Sequence, residues 1–287
     1  MPIDITVEFP GICRVGEGPF WDPESGSLSW VDILDGTLHR AQPGSAERWS
    51  LQLATLVGAA VPKASGGYVA ATSEGFTDIS PDGAWTVRRD FLPDGIRMND
   101  AKCDPHGRLW AGSCAQDFAA GRGGMHVLLP DWTVMEVFSG LTQPNGLGWS
   151  PDGRRFYLVE TQARDVSVFD VVSDRLEPEN RRTLVSFPES CGYPDGLTVD
   201  AGGCLWIAFW GGGRVLQVAP DDGRVLRTVE VPVPQPSSCA FGGPELDVLY
   251  VTTAREGLDP DVERPSGSVL AIRGLGVRGL PAVKFGG

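Results

Sequence analysis

Six copies of one short unit dominate the sequence, and their even spacing limits what the chain can fold into. Each copy opens on one residue and reaches a turn marker six positions later. The copies open at Glu17, Gly58, Asn99, Asn145, Asp195 and Ser238 and end at Pro23, Ala64, Pro105, Pro151, Ala201 and Pro244. Successive markers stand 41, 41, 46, 50 and 43 residues apart. A short apolar strand follows each turn, as in Leu28-Ser-Trp30, Leu109-Trp-Ala111 and Leu205-Trp-Ile207, and further Gly, Pro and Asp turns follow in most copies. Such runs are strands joined by hairpins. Four strands in each period, repeated six times, is the pattern of a β-propeller. The sequence therefore predicts an all-β fold, a six-bladed β-propeller, with residues 1–287 as one domain. Two packed sandwiches would not require a fixed period. The first strand, Ile3–Phe9, is expected to complete the last blade beside segments around Ser268–Ile272 and Ala282–Phe285, which would remove an exposed sheet edge.

In a propeller the first strand of each blade lines the central channel, so the six opening residues form a ring at one end of it. That ring reads Glu17, Gly58, Asn99, Asn145, Asp195, Ser238. Two carboxylates aimed at one point in a poorly solvated channel repel each other and lose hydration. A divalent cation relieves both costs, and hard cations prefer carboxylate and carbonyl oxygens. The ring thus points to one cation near Glu17, Asn99, Asn145 and Asp195, with Gly58 as an open sector for water or ligand. The competing reading is that these side chains only bond turns and blade backbones. Arg97 stands two residues before Asn99, so strand alternation turns both to one side. It implies either an oxygen-rich ligand or an ion pair with a rim acid such as Glu74.

The remaining features narrow the function by exclusion. The formal net charge of −13 and the absence of a basic stripe argue against nucleic acid. No window reaches the length of a membrane span, and the first residues carry no secretory pattern, so a cytoplasmic location is expected. The six cysteines form no Cys-x-x-Cys pair and read as free thiols. There is no Gly-x-Ser-x-Gly elbow, phosphate loop, His-Glu-x-x-His or dinucleotide fingerprint. His39, His106 and His126 are scattered, which leaves carboxylates as the acid–base groups.

The ordered set of blade motifs resembles the regucalcin/gluconolactonase family, also called the senescence-marker-protein family. The matching stretches include Gly16-Glu17-Gly18-Pro19, Arg97-Met-Asn99-Asp100, Pro144-Asn145-Gly146-Leu147, Pro194-Asp195-Gly196 and Tyr250-Val-Thr-Thr-Ala-Arg-Glu-Gly257, spread over essentially the whole chain. The resemblance implies a divalent metal (calcium, zinc, magnesium, manganese or iron(II)) and hydrolysis of small-molecule sugar lactones. It gives Glu17, Asn145 and Asp195 as metal ligands and Asp195 as general base. Arg97 and Asn99 match substrate-binding positions. The third-blade loop, where some members carry a Glu, holds Asp117 here. Trp210 is a further rim candidate. The alternatives are a calcium-binding regulatory propeller without turnover, a phosphotriesterase or aryl-ester hydrolase, and a protein scaffold.

Overall fold

The computed structural model describes residues 2–11, 13–172, 175–259 and 265–286. Their strands form six four-stranded antiparallel sheets, each a blade. The N-terminal strand is β1 (Asp4–Phe9). Blade one holds β2 (Gly16–Asp22), β3 (Ser27–Asp32), β4 (Thr37–Ala41) and β5 (Arg48–Gln52). Blade two holds β6 (Val57–Pro62), β7 (Tyr68–Thr72), β8 (Gly75–Ile79) and β9 (Trp85–Asp90). Blade three holds β10 (Ile96–Cys103), β11 (Leu109–Ala115), β12 (Gly123–Leu128) and β13 (Val134–Leu141). Blade four holds β14 (Pro144–Trp149), β15 (Arg155–Glu160), β16 (Asp165–Asp170) and β17 (Glu179–Ser186). Blade five holds β18 (Tyr193–Val199), β19 (Leu205–Trp210), β20 (Arg214–Val218) and β21 (Val225–Glu230). Blade six combines β22 (Pro236–Gly242), β23 (Val248–Thr253) and β24 (Val269–Arg273) with β1. No α-helix occurs among the described residues, and the six-bladed propeller expected from the repeat is the observed fold.

Burial falls from the channel outwards. β6 and β14 are buried at every position, whereas β5, β9 and β17 are largely exposed. The apolar core is divided into six clusters, one between each pair of neighbouring blades. Strand alternation sends neighbouring side chains to opposite sheet faces. On β3, Leu28 and Trp30 pack with Tyr250 of blade six, while Val31 packs with Val57 and Ile79 of blade two. Both faces are therefore apolar, and the inner strands read as continuous hydrophobic runs.

The Asp-x-x-Gly-x-Leu-Trp turns of blades three and five are structural clamps. Asp200 accepts from the Gly202 and Cys204 amides, each at 2.9 Å, and from the Trp206 indole at 2.9 Å. Asp104 does the same for His106, Arg108 and Trp110. Trp206 is fully buried, so removing its acceptor leaves a donor with no partner and no water. Asp200→Ala should lower stability by about 3 kcal/mol, measured as a shift of the denaturant midpoint. A midpoint equal to wild type would show the clamp to be dispensable.

Blade six closes as expected in part. β1 pairs with β24 in antiparallel register, Asp4 opposite Arg273 and Ile5 opposite Ile272. The segment Ala282–Phe285, expected in the same blade, lies elsewhere. Phe285 bridges Lys63 of blade two, and its ring packs 5.8 Å from Trp132 in the core between blades two and three. The tail crosses the propeller because Phe285 has an apolar site there, whereas blade six already has its fourth strand from the N-terminus.

Candidate metal and substrate site

The innermost strand of every blade breaks register at the ring position. The breaks fall between Glu17 and Phe20, Val57 and Ala59, Met98 and Ala101, Pro144 and Leu147, Pro194 and Leu197, and Pro236 and Ser238. A bulge leaves residues out of the ladder and re-aims their side chains. Asn99, Asn145 and Asp195 are freed in this way, and Glu17 stands at the edge of its break. Adjacent inner strands meet closely there. A Cβ on Gly196 would lie 1.9 Å from Ser238 Oγ, and one on Gly146 would lie 2.4 Å from the Leu197 amide nitrogen. Gly58 is also a close approach rather than the expected open sector, since a Cβ there would sit 2.1 Å from the Asn99 carbonyl oxygen.

These side chains converge on a cavity of about 440 Å³ at one channel mouth. Glu17, Asn145, Asp195, Arg97 and Asn99 all line it, and all are buried. Asn145 donates through Nδ2 to Thr161 Oγ1 at 3.1 Å and to Asp195 Oδ1. Its Oδ1 is buried without a hydrogen-bond partner. Glu17 accepts from the Gly18 amide at 2.8 Å and from the Ser238 hydroxyl.

Electrostatics mark the same place. Burial, followed by the charges of Asp195 and Asp100, holds the Glu17 carboxyl well above the usual range. Burial and then Asp100 raise Asp195 likewise, against the opposing pull of Asn145 and Arg97. Directly below, burial pulls the Lys102 ammonium down while Asp100 pushes it up, and Lys102 Nζ donates to the Leu197 carbonyl at 2.6 Å. Three buried carboxyl groups, Glu17, Asp100 and Asp195, thus stand with two basic groups, Lys102 and Arg97, and burial raises all three carboxyls. Among the described residues no three His, Cys, Asp or Glu side chains gather as a metal-binding group. A cation here would need oxygen donors beyond these carboxylates, and the orphaned Asn145 Oδ1 is a ready one. Two carboxylates with one amide oxygen fit a hard divalent cation.

Arg97 makes no ion pair with Glu74, which instead accepts from Thr55 Oγ1 at 2.9 Å. Its Nη1 donates to the Met98 carbonyl at 2.9 Å and to Asn99 Oδ1 at 2.8 Å, while Asn99 Nδ2 donates to the Pro144 carbonyl. Asn99 therefore holds Arg97 on the cavity wall with donors to spare. Trp210 lines the cavity, as do Gln116 and Phe118 on the third-blade loop. Asp117, between those two, is exposed and outside the lining, and its Oδ1 accepts from the Ala119 amide at 3.0 Å.

Sequence reasoning missed Thr161 as a partner of Asn145, and it missed Val15, Leu56, Gln143 and Tyr193, which reach the rim from the points where the chain enters the inner strands. The signal was available in part: Val15, Leu56, Gln143 and Tyr193 each stand two residues before a ring position, and Thr161 directly follows a second strand. The opposite channel mouth holds a second cavity of about 390 Å³, lined by later residues of the inner strands, such as Cys103 and Phe241, and covered by Leu280–Val283 of the tail.

Residues 15–255 match the model of the SMP-30/Gluconolactonase/LRE-like region. The chain belongs to this family. It is 36% identical to regucalcin of Oryctolagus cuniculus, with 99% of each chain covered. It is 30% identical to the putative sugar lactone lactonase YvrE of Bacillus subtilis (strain 168), again over 99% of both. It also superposes on the structure of a calcium-binding protein, regucalcin, from Agrobacterium tumefaciens str. C58, with a TM-score of 0.89 and 28% identity over 96% of this chain and 97% of that one. The thiol reading agrees with the structure, in which all six cysteines are unpaired. His39 and His126 are held by Ser50 and Ser113, and burial lowers each to about 4, so neither is placed for acid–base work at the site.

Proposed function

We propose that this protein is a cation-dependent lactonase acting on sugar lactones. The observation that carries the reading is the buried, partnerless Asn145 Oδ1 beside Glu17 and Asp195, beneath a guanidinium with free donors. Glu17, Asn145 and Asp195 would hold one divalent cation. When bound, it supplies Lewis-acid polarisation of the lactone carbonyl and stabilises the negative charge that develops on its oxygen.

The chain's own residues supply the rest. One Asp195 oxygen is engaged by Asn145 Nδ2; the other is the proposed acceptor for a proton of the attacking water. The water oxygen bonds to the carbonyl carbon, the ring C–O bond breaks, and the departing oxygen takes a proton. The product is a hydroxy acid that ionises at neutral pH, so each turnover releases one proton. Arg97, steadied by Asn99, would bond substrate hydroxyls and orient the ring, the proximity contribution. Asn99 keeps a second amide hydrogen and a second lone pair for substrate. The third-blade contact that the family resemblance gives to Asp117 would fall in this chain to Gln116, which stands on the cavity wall. Trp210 would pack against one face of the ring.

No helix of the described residues is long and apolar enough to cross a membrane. The unpaired thiols support a reducing, cytoplasmic setting. A panel of aldonolactones, followed by proton release with and without added divalent cation, tests the activity. Cation-stimulated turnover of at least one member is expected. Cation binding with no hydrolysis of any member would make the protein a cation-binding propeller instead, and hydrolysis confined to aryl esters or phosphotriesters would move it to another class of hydrolase.

A further inference from the structure

Thr161 follows directly after β15 and is buried behind Asn145, with no charge of its own and no place in the chemistry above. Its hydroxyl oxygen lies 2.9 Å from the Pro194 carbonyl oxygen and 3.1 Å from the Asn145 side-chain nitrogen. A carbonyl can only accept, so the single hydroxyl proton must go to Pro194. Towards Asn145 the hydroxyl can then only accept. The amide is thus obliged to present its NH₂ to Thr161, which leaves Oδ1 as the end of the amide open to another partner. Oδ1 is the atom left buried without a partner.

The two ends of an asparagine amide have nearly the same shape, so packing alone chooses weakly between them. A flipped Asn145 would aim an NH₂ at the cation, replacing a donor of electrons with two partial positive charges. The Asp195 carboxylate also favours the present orientation by accepting from Nδ2. That carboxylate is itself a proposed ligand, however, and its electron density is shared once a cation is held. The Thr161 hydroxyl is not shared in this way. It also bridges blades: one bond reaches Asn145 of blade four and the other the backbone just before Asp195 of blade five. It therefore fixes two ligands relative to each other as well as setting which atom of one of them faces inwards.

We propose that Thr161 is a positioning residue that locks the Asn145 amide with its oxygen towards the cation and so sets cation affinity. The proposal rests on the cation reading of the site but not on lactone hydrolysis. Outer partners of metal ligands are typically worth 10–100-fold in affinity. Titration calorimetry of the full chain with calcium and, separately, manganese alone should show Thr161→Val binding about 10–100-fold more weakly than wild type. Thr161→Ser, which keeps the hydroxyl, should stay close to wild type. Thr161→Ala removes the hydroxyl without the bulk of a valine and should match Thr161→Val, which keeps the comparison open if the valine variant does not fold. The decisive control is Asn145→Asp, whose two oxygens make orientation irrelevant. In that background Thr161→Val should cost little further affinity, a coupling that a purely structural role would not produce. Affinity unchanged in both hydroxyl-free variants, or an equal loss in both backgrounds, would overturn the proposal. A wild-type chain that bound no divalent cation would instead overturn the cation reading itself.

Discussion

Asp195→Asn is expected to lower kcat for lactone hydrolysis by about 10²–10⁴-fold at saturating cation, the range over which a general base contributes. The substitution keeps the size of the side chain and one oxygen donor. It removes the proton acceptor and one of three ionisable carboxyls in the buried column. Because that column is held together against its own repulsion, Asp195→Asn should leave the thermal unfolding temperature of the cation-free protein at or above that of wild type. Loss of activity with retained fold separates a chemical role from a structural one. Asn99→Ala is the comparison: it releases Arg97 from its acceptor and should raise KM while leaving measurable turnover. Near-normal kcat for Asp195→Asn would mean that water is activated without this carboxylate.

The second large effect concerns Glu17. Its carboxyl is held well above the usual range by burial and by the charges of Asp195 and Asp100. Glu17→Gln should weaken divalent cation binding by at least about 100-fold, since even outer partners of ligands are worth up to that much. The sign of the pH dependence follows from the same shifts. A carboxyl whose folded pKa is raised binds more protons folded than unfolded. The cation-free protein should therefore lose stability as pH rises from the ordinary carboxylate range, about 4, through the raised values of Glu17 and Asp195. A bound cation opposes this loss and competes with the protons. Cation binding should release protons, and the gain in unfolding temperature on adding cation should grow from pH 5 to pH 8. The gain in Glu17→Gln should be smaller and flatter. A cation-induced gain that did not change with pH would contradict the account.

Much of this was legible in the sequence because a propeller repeats its own grammar. The period gave the blades, and the opening residue of each copy placed Glu17, Asn145 and Asp195 on one ring. The bulges that free those side chains were less visible, since a register break depends on the partner strand; Asn99-Asp100, Asn145-Gly146 and Asp195-Gly196 were its only local trace. Gly58 looked like an opening because it lacks a side chain, but its Cβ direction is filled by the backbone of blade three. Gln116 and Asp117 are neighbours, and only the path of the loop decides which reaches the cavity. Ala282–Phe285 carries a short apolar pattern that cannot name its partner, and the core between blades two and three claimed it. Thr161 was least legible: its role depends on a carbonyl 33 residues away in the next blade.

The most direct test is to strip the full chain of metal with a chelator and titrate one divalent cation back, measuring bound metal and lactone-driven proton release on the same samples. The account predicts an inactive stripped protein, activity that rises in parallel with bound metal and saturates at one ion per chain, and no recovery at that stoichiometry in Asn145→Ala. Full hydrolysis by the stripped protein, or equal metal content in wild type and Asn145→Ala, would contradict it.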